Sequence, residues 1–250
     1  MSGAADLLPF FDERFKEVET YLEFLEELEK AAQSGPPRLE GSPLAISAPQ
    51  QRILYSSVYL QLYNLVEATV SRCIEAVCDA TQSNGRWRPD DLNSSLKQEW
   101  VRAIARTHID MSPDNRLKSA MAMCDHLMDS LPISDFSISI GGGGNWDDDS
   151  IEKIGVRVGC SLRFNMTTRV AVKRPLRNEM GALKLVKSHR NSLAHGSISF
   201  VECADGVVVD ELRTTVNAVG AYLHEVIESF SKYIESFDFL RPDRKPQGVA

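Results

Sequence analysis

Three stretches of this chain place apolar side chains three or four residues apart over spans too long for any strand, and that spacing commits the fold to long packed helices. The first, over residues 9–32, opens on Pro9, which suits a first helical turn, and carries Phe11, Phe15, Val18, Leu22, Leu25 and Leu28. The second, over 50–80, carries Ile53, Leu54, Val58, Leu62, Leu65, Val66, Val70, Cys73, Ile74 and Val77, so rich a series that the helix is expected to be covered on most sides. The third, over 210–237, runs through Leu212, Val216, Val219, Leu223, Val226, Phe230, Ile234 and Phe237.

Shorter helical patterns fill the space between. Leu92, Leu96, Trp100 and Ile104 mark 91–106; Leu117, Met121, Cys124 and Met128 mark 114–130; Leu183, Leu185, Val186 and Leu193 mark 181–196, with Gly196 as a natural stop. The stretch from Ser34 to Pro49 holds four prolines and two glycines and reads as a loop. Segment 132–175 differs in kind. Phe136, Ile138 and Ile140 alternate with polar residues over 135–142, the Gly141–Gly144 run reads as a loop, and Asp147–Asp149 precede Ile151, Ile154 and Val158 as acids precede a short helix. Around Asp205-Gly206 the residues of 198–209 are strand-like, which predicts a short hairpin. The expectation is therefore an all-α fold with short β elements near 135–142 and 198–209. Residues 1–131 and 176–240 form the bundle, 132–175 an insertion or lid, and 241–250, with Pro242 and Pro246, a disordered tail.

A chain of 250 residues, 43% apolar and 25% charged, can bury a proper core, which excludes bulk disorder. No window reaches the length and apolarity of a membrane span, and the first residues lack the basic and apolar regions of a signal peptide, so a cytoplasmic protein is expected. Five cysteines without a Cys-x-x-Cys pair point to reduced, mostly buried thiols rather than disulfides or zinc.

The formal net charge of −7 hides a reversal. From Arg163 to Arg190 eight basic residues stand against Glu179 alone, while the first thirty residues carry nine acids and three bases. Such a basic stretch is either a footprint for a polyanion or a solvated face paired with that acidic helix.

Several chemistries are set aside. The Gly141–Gly144 run lacks the Lys-Ser/Thr of a phosphate-binding loop, Asp147–Asp149 read as a helix cap rather than a divalent-metal site, and His108 and His126 lack partners at ligand spacing. What remains is Lys187-Ser188-His189-Arg190-Asn191-Ser192-Leu193-Ala194-His195-Gly196, at the end of the most basic stretch. Cleaving a ribose phosphodiester needs a group to take the 2′-hydroxyl proton, a group to protonate the leaving 5′-oxygen and a cation to hold the crowded phosphorane. Histidine and arginine meet those needs without a metal. In a continuous helix positions i and i+5 point about 140° apart. Either the last turn unwinds towards Gly196, or a second subunit completes the site. On residue types alone, a structural pair capping a helix end is the favoured reading.

At Arg190-Asn191-Ser192-Leu193-Ala194-His195-Gly196 the chain resembles the HEPN superfamily (higher eukaryotes and prokaryotes nucleotide-binding), whose signature is an arginine, a polar residue, further positions and a histidine. Leu62-Tyr63-Asn64-Leu65-Val66-Glu67-Ala68, Gly144-Asn145-Trp146-Asp147 and the long terminal helix are similar to the bacterial MAE-type branch of HEPN-like nucleases. The resemblance implies a HEPN-like helical bundle, a homodimer that brings two motifs into one cleft, and metal-independent, cofactor-free RNA cleavage leaving a 2′,3′-cyclic phosphate. It also implies a toxin in antiphage defence, a toxin–antitoxin pair or a restriction-linked system, with an antitoxin or defence protein as partner. By position Arg190 and His195 become catalytic, with Asn191, Ser192, Glu67 and Asn64 supporting, and Lys184, Lys187 and His189 placed to bind RNA. Two other readings compete: a non-catalytic nucleotide-binding or scaffolding module of the same fold, and an unrelated enzyme built on residues 141–149.

Overall fold

The computed structural model describes residues 3–41, 43–107, 109–140 and 145–246, with the backbone alone at Asn84. The expected loop at Gly141–Gly144, His108 and residues 247–250 of the expected tail lie outside the described residues. The three long periodic stretches are the three long helices: α1 (Leu7–Gln33), α2 (Ala48–Gln82) and α9 (Val209–Glu235). Each packs against the other two, so their apolar stripes meet along one seam. Leu22, Leu25, Leu62, Val66, Val70, Leu223 and Phe230 are fully buried there.

Local chemistry sets where α2 begins. Ser47 Oγ accepts from Gln50 N–H while Gln50 Oε1 accepts from Ser47 N–H at 2.7 Å, a reciprocal capping box with Pro49 in the first turn. Such a cap contributes about 1 kcal/mol.

Around the seam lie α3 (Ser94–Ile104), α4 (Pro113–Met128), α5 (Asp148–Val158), α6 (Met166–Lys173), α7 (Ala182–Ala194) and the single turn α8 (Phe200–Cys203). Segment 132–175 sends Ile133, Phe136, Trp146, Ile151, Ile154 and Val158 into the same core as the long helices. A buried carboxylate locks α5 to α3: Glu99 receives Arg157 through both oxygens, at 2.8 and 2.5 Å, and Arg102 as well. Two cations with fixed geometry are what a carboxylate without solvent requires. Sequence spacing missed α6, a short helix whose Asn165 side chain accepts from Thr168 N–H.

Both expected β elements are corrected. Among the described residues there is no strand, only isolated bridges. Phe136 and Ile138 do turn inward while Ser137 and Ser139 turn out, but no second strand is alongside. The Gln82 side chain takes its place, donating to Phe136 C=O at 2.9 Å and accepting from Phe136 N–H at 3.0 Å, and Arg157 donates to Ser139 C=O. Side chains have satisfied the backbone groups that a ladder would have used.

In 198–209 a Ser199/Glu202 capping box starts a helical turn instead of a hairpin, and Arg177 clamps the following bend by donating to the carbonyls of Asp205 and Gly206. The expected disordered tail is corrected as far as Pro246. Arg241 N–H donates to Asp91 C=O at 2.8 Å, its guanidinium meets Asp90, Arg244 meets Asp91, and Pro242–Arg244 form a 3₁₀ turn. No helix among the described residues is long and apolar enough to cross a membrane.

Candidate functional site

Helix α7 carries the Arg-His motif, and its placement follows from its buried face. Ala182, Leu183, Leu185, Val186 and Leu193 pack inward, which leaves Lys184 outward and Lys187 and Arg190 half-buried at the margin. The helix does not unwind within the motif. It runs to Ala194 and closes in a Schellman turn: Gly196 at φ 67° donates to Leu193 C=O at 3.2 Å, and Ser197 N–H donates to Ser192 C=O at 2.9 Å. His195 is the exposed C-cap residue in helical geometry, so the i and i+5 side chains diverge by about 140°.

Arg190 is held from three sides. Its guanidinium carbon lies 4.3 Å from the ring centroid of Tyr63, over the ring face, one nitrogen is 3.7 Å from Glu67 Oε2, and another donates to Asn191 Oδ1 at 2.9 Å. Asn191 in turn donates to Asn145 Oδ1 at 3.0 Å, and Trp146 N–H donates to the Tyr63 hydroxyl at 3.3 Å. The segment 145–147 is thereby stitched to α2 and α7 at once. A planar cation with five donors keeps free N–H groups in this arrangement, which suits it to grip an anionic oxygen.

The surrounding charges are paired by the acids that begin α5, its N-cap Asp147 and the first-turn Asp148 and Asp149. Lys187 Nζ donates to Asp147 Oδ2 at 2.7 Å, Lys184 meets Asp149 at 2.8 Å, and Lys173 meets Asp148 and Asp149. Asp147 also caps α5, accepting from Ser150 N–H at 2.9 Å and Ser150 Oγ at 2.6 Å. Burial alone would raise its carboxyl, but the hydrogen bonds from Lys187 and Ser150 outweigh that and hold it below the ordinary carboxylate range. Asp149 is likewise lowered, first by Lys184. The basic stretch is therefore paired in part by 147–149, while the acidic α1 engages Arg213 of α9 through Glu26 at 2.8 Å. Among the described residues no group of three or more His, Cys, Asp or Glu side chains converges as a metal site.

Of the residues singled out from sequence, Arg190, Asn191 and Glu67 are brought together, with Lys187 one turn away. Ser192 is half-buried and its carbonyl closes the Schellman turn. Asn64 is exposed on α2, and the ring and ion-pair partners of Arg190 on that helix are Tyr63 and Glu67. Lys184 is outward and paired. His189 faces the other way: its ring lies 4.5 Å from that of Tyr59, its Nε2 is buried without a partner, and burial pushes its pKa down. Tyr63, Asn145 and Asp147 were missed as site residues. Tyr63, one turn before Glu67 on α2, lies in the stretch that resembles the MAE-type branch, but nothing in the sequence marks it as a partner of Arg190.

A helical bundle with an Arg-polar-x3-His motif closing a late helix is the architecture of a HEPN module. A family model described as MAE_28990-like HEPN matches residues 4–239, and the chain belongs to that family. Comparison with curated proteins gave no significant match, and comparison with solved structures gave none.

Proposed function

We propose that this HEPN protein is a metal-independent endoribonuclease in which Arg190 and His195 act on an RNA phosphodiester across a cleft shared by two copies of the chain. The observation that carries the reading is the posture of Arg190, fixed over Tyr63 by Glu67 and Asn191 with donors to spare. The uninterrupted helical turn supports the two-copy arrangement, because one chain points its arginine and its histidine in different directions. A pair of copies supplies two histidines. One takes the proton of the 2′-hydroxyl as its oxygen attacks phosphorus, the other gives a proton to the departing 5′-oxygen, and the products are a 2′,3′-cyclic phosphate and a 5′-hydroxyl. Arg190 neutralises the phosphorane.

The biological setting that fits is a toxin-type role in antiphage defence, with an antitoxin or defence protein as restraint. Purified protein should cut RNA in EDTA, and Arg190→Ala and His195→Ala should each abolish cutting while the native mass is kept. Cleavage that persists in both variants overturns the assignment. The pairing of Lys184 and Lys187 with Asp149 and Asp147 favours a second reading, a non-catalytic nucleotide-binding or scaffolding module, because it reduces the positive field on this face. Saturable nucleotide binding with no cleavage of any RNA would select it.

A further inference from the structure

Helix α4 joins the bundle by the face opposite to its apolar stripe. Ser119, Met123 and His126 are its partly buried residues, and the His126 ring lies 5.2 Å from that of Trp100 on α3. Leu117, Met121, Cys124 and Met128 face outward, with Leu117 64% and Met128 81% exposed, and Leu131 continues the stripe beyond the helix end. The spacing of four, three, four and three residues is that of a coiled-coil seam, which a solitary surface helix does not need.

We propose that this face pairs with itself, so that two copies of the chain join through antiparallel α4 helices about a twofold axis near residues 122–123. The charges beside the seam decide both the occupant and the direction. With the helices antiparallel, Leu117 meets Met128 of the partner subunit and Met121 meets Cys124 of the partner subunit. Lys118 then lies beside Asp125 of the partner subunit, and the symmetry repeats that pair, while on the other flank Ala120 meets Leu127 of the partner subunit. A parallel pairing would set both charges against the apolar flank of Ala120 and Leu127. Among the described residues neither Lys118 nor Asp125 has an ion-pair partner within its own chain, whereas Arg116 is satisfied by Asp110 at 3.1 Å. A surface complementary to its own copy in this way is what a twofold contact requires.

The surface is separate from the Arg190 site: α4 packs chiefly on α3, whereas α7 packs on α2, α6, α8 and α9. The contact is thus additional to any cleft formed by α7, and together the two would build assemblies larger than a dimer. One helix face is well under the ~1,600 Å² of a standard interface, so the association is reversible and concentration-dependent.

Cys124 supplies a direct probe, because the other four cysteines are buried. The two copies of Cys124 flank the axis, offset by three residues or ~4.5 Å along it. Full-length protein treated with a short bismaleimide should give a covalent dimer, and sedimentation velocity should show reversible self-association. Lys118→Asp and Asp125→Lys each place like charges together and should weaken the association at least ~10-fold and remove the cross-link. The double variant Lys118→Asp/Asp125→Lys should regain both, and all three should keep the wild-type melting curve at dilutions where this contact is open, because the positions are exposed. A wild type that neither cross-links nor self-associates through this face, single variants without effect, or a double variant that stays defective would each overturn the proposal. The last result would give the face to a different protein.

Discussion

Asp147 joins two tasks, and three substitutions separate them. Its carboxylate caps α5 through Ser150 and pairs with Lys187 at 2.7 Å, with side chains only 13% and 26% exposed. Losing a charged hydrogen bond at such a site costs about 2 kcal/mol, and losing an N-cap about 1 kcal/mol more. Asp147→Asn keeps the capping oxygen and discards the charge, so it should cost about 2 kcal/mol, and Asp147→Ala about 3 kcal/mol. For a chain of this size that is a fall in melting temperature of roughly 4–8 °C and 6–12 °C. Asp149 pairs with Lys184 at a similar distance but is 50% exposed, so Asp149→Ala should cost under ~1 kcal/mol. Urea unfolding followed by far-UV circular dichroism, with calorimetry for the melting temperatures, measures all three. Because the Asp147 pKa is lowered by folding, its contribution is complete above the unfolded value of ~3.9 and is lost as pH falls through the folded one. If Asp149→Ala proved as damaging as Asp147→Asn, burial would not be what gives the Lys187 pair its weight, and the reasoning would fail.

Arg190→Lys keeps the charge but gives up the planar fork over Tyr63, so RNA cleavage should fall at least ~100-fold with little change in melting temperature; equal activity in the two proteins would exclude a geometric role for the guanidinium. His189 has its pKa lowered by burial, so the neutral ring contributes stability that is whole above ~6.5 and is lost as pH drops below it. His189→Phe should flatten the slope of stability between neutral and mildly acid pH, and an unchanged slope in urea titrations would contradict the burial of this side chain. Gly196 sits at φ 67° with open space around it, so Gly196→Ala should cost roughly 1–2 kcal/mol through backbone strain alone. Faster amide exchange at Ser197 would accompany that loss.

Periodicity reports which side chains share a face, and it reports nothing about what that face meets. For α1, α2 and α9 the two questions have one answer, because each stripe is long enough that only another long helix can cover it. Leu22, Val66 and Leu223 were accordingly legible as core from spacing alone. Helix α4 has the same quality of stripe in Leu117, Met121, Cys124 and Met128, and there the stripe is outside, while Ser119 and His126 face the bundle. The two-residue alternation at Phe136 and Ile138 likewise gave the correct inward faces but the wrong partner, since a single side chain, Gln82, 54 positions earlier, supplies the hydrogen bonds of a missing strand. The site divides along the same line. Arg190, Asn191 and His195 stand within six residues, and their chemistry can be read from a motif. Tyr63, Asn145 and Asp147 shape that chemistry only because α2, α7 and the turn before α5 converge, and convergence is a property of packing that no local spacing encodes. The pairing of Lys184 and Lys187 with 147–149 has the same origin: the cation count along the chain was right, and the field it produces was set by a neighbour some forty residues away.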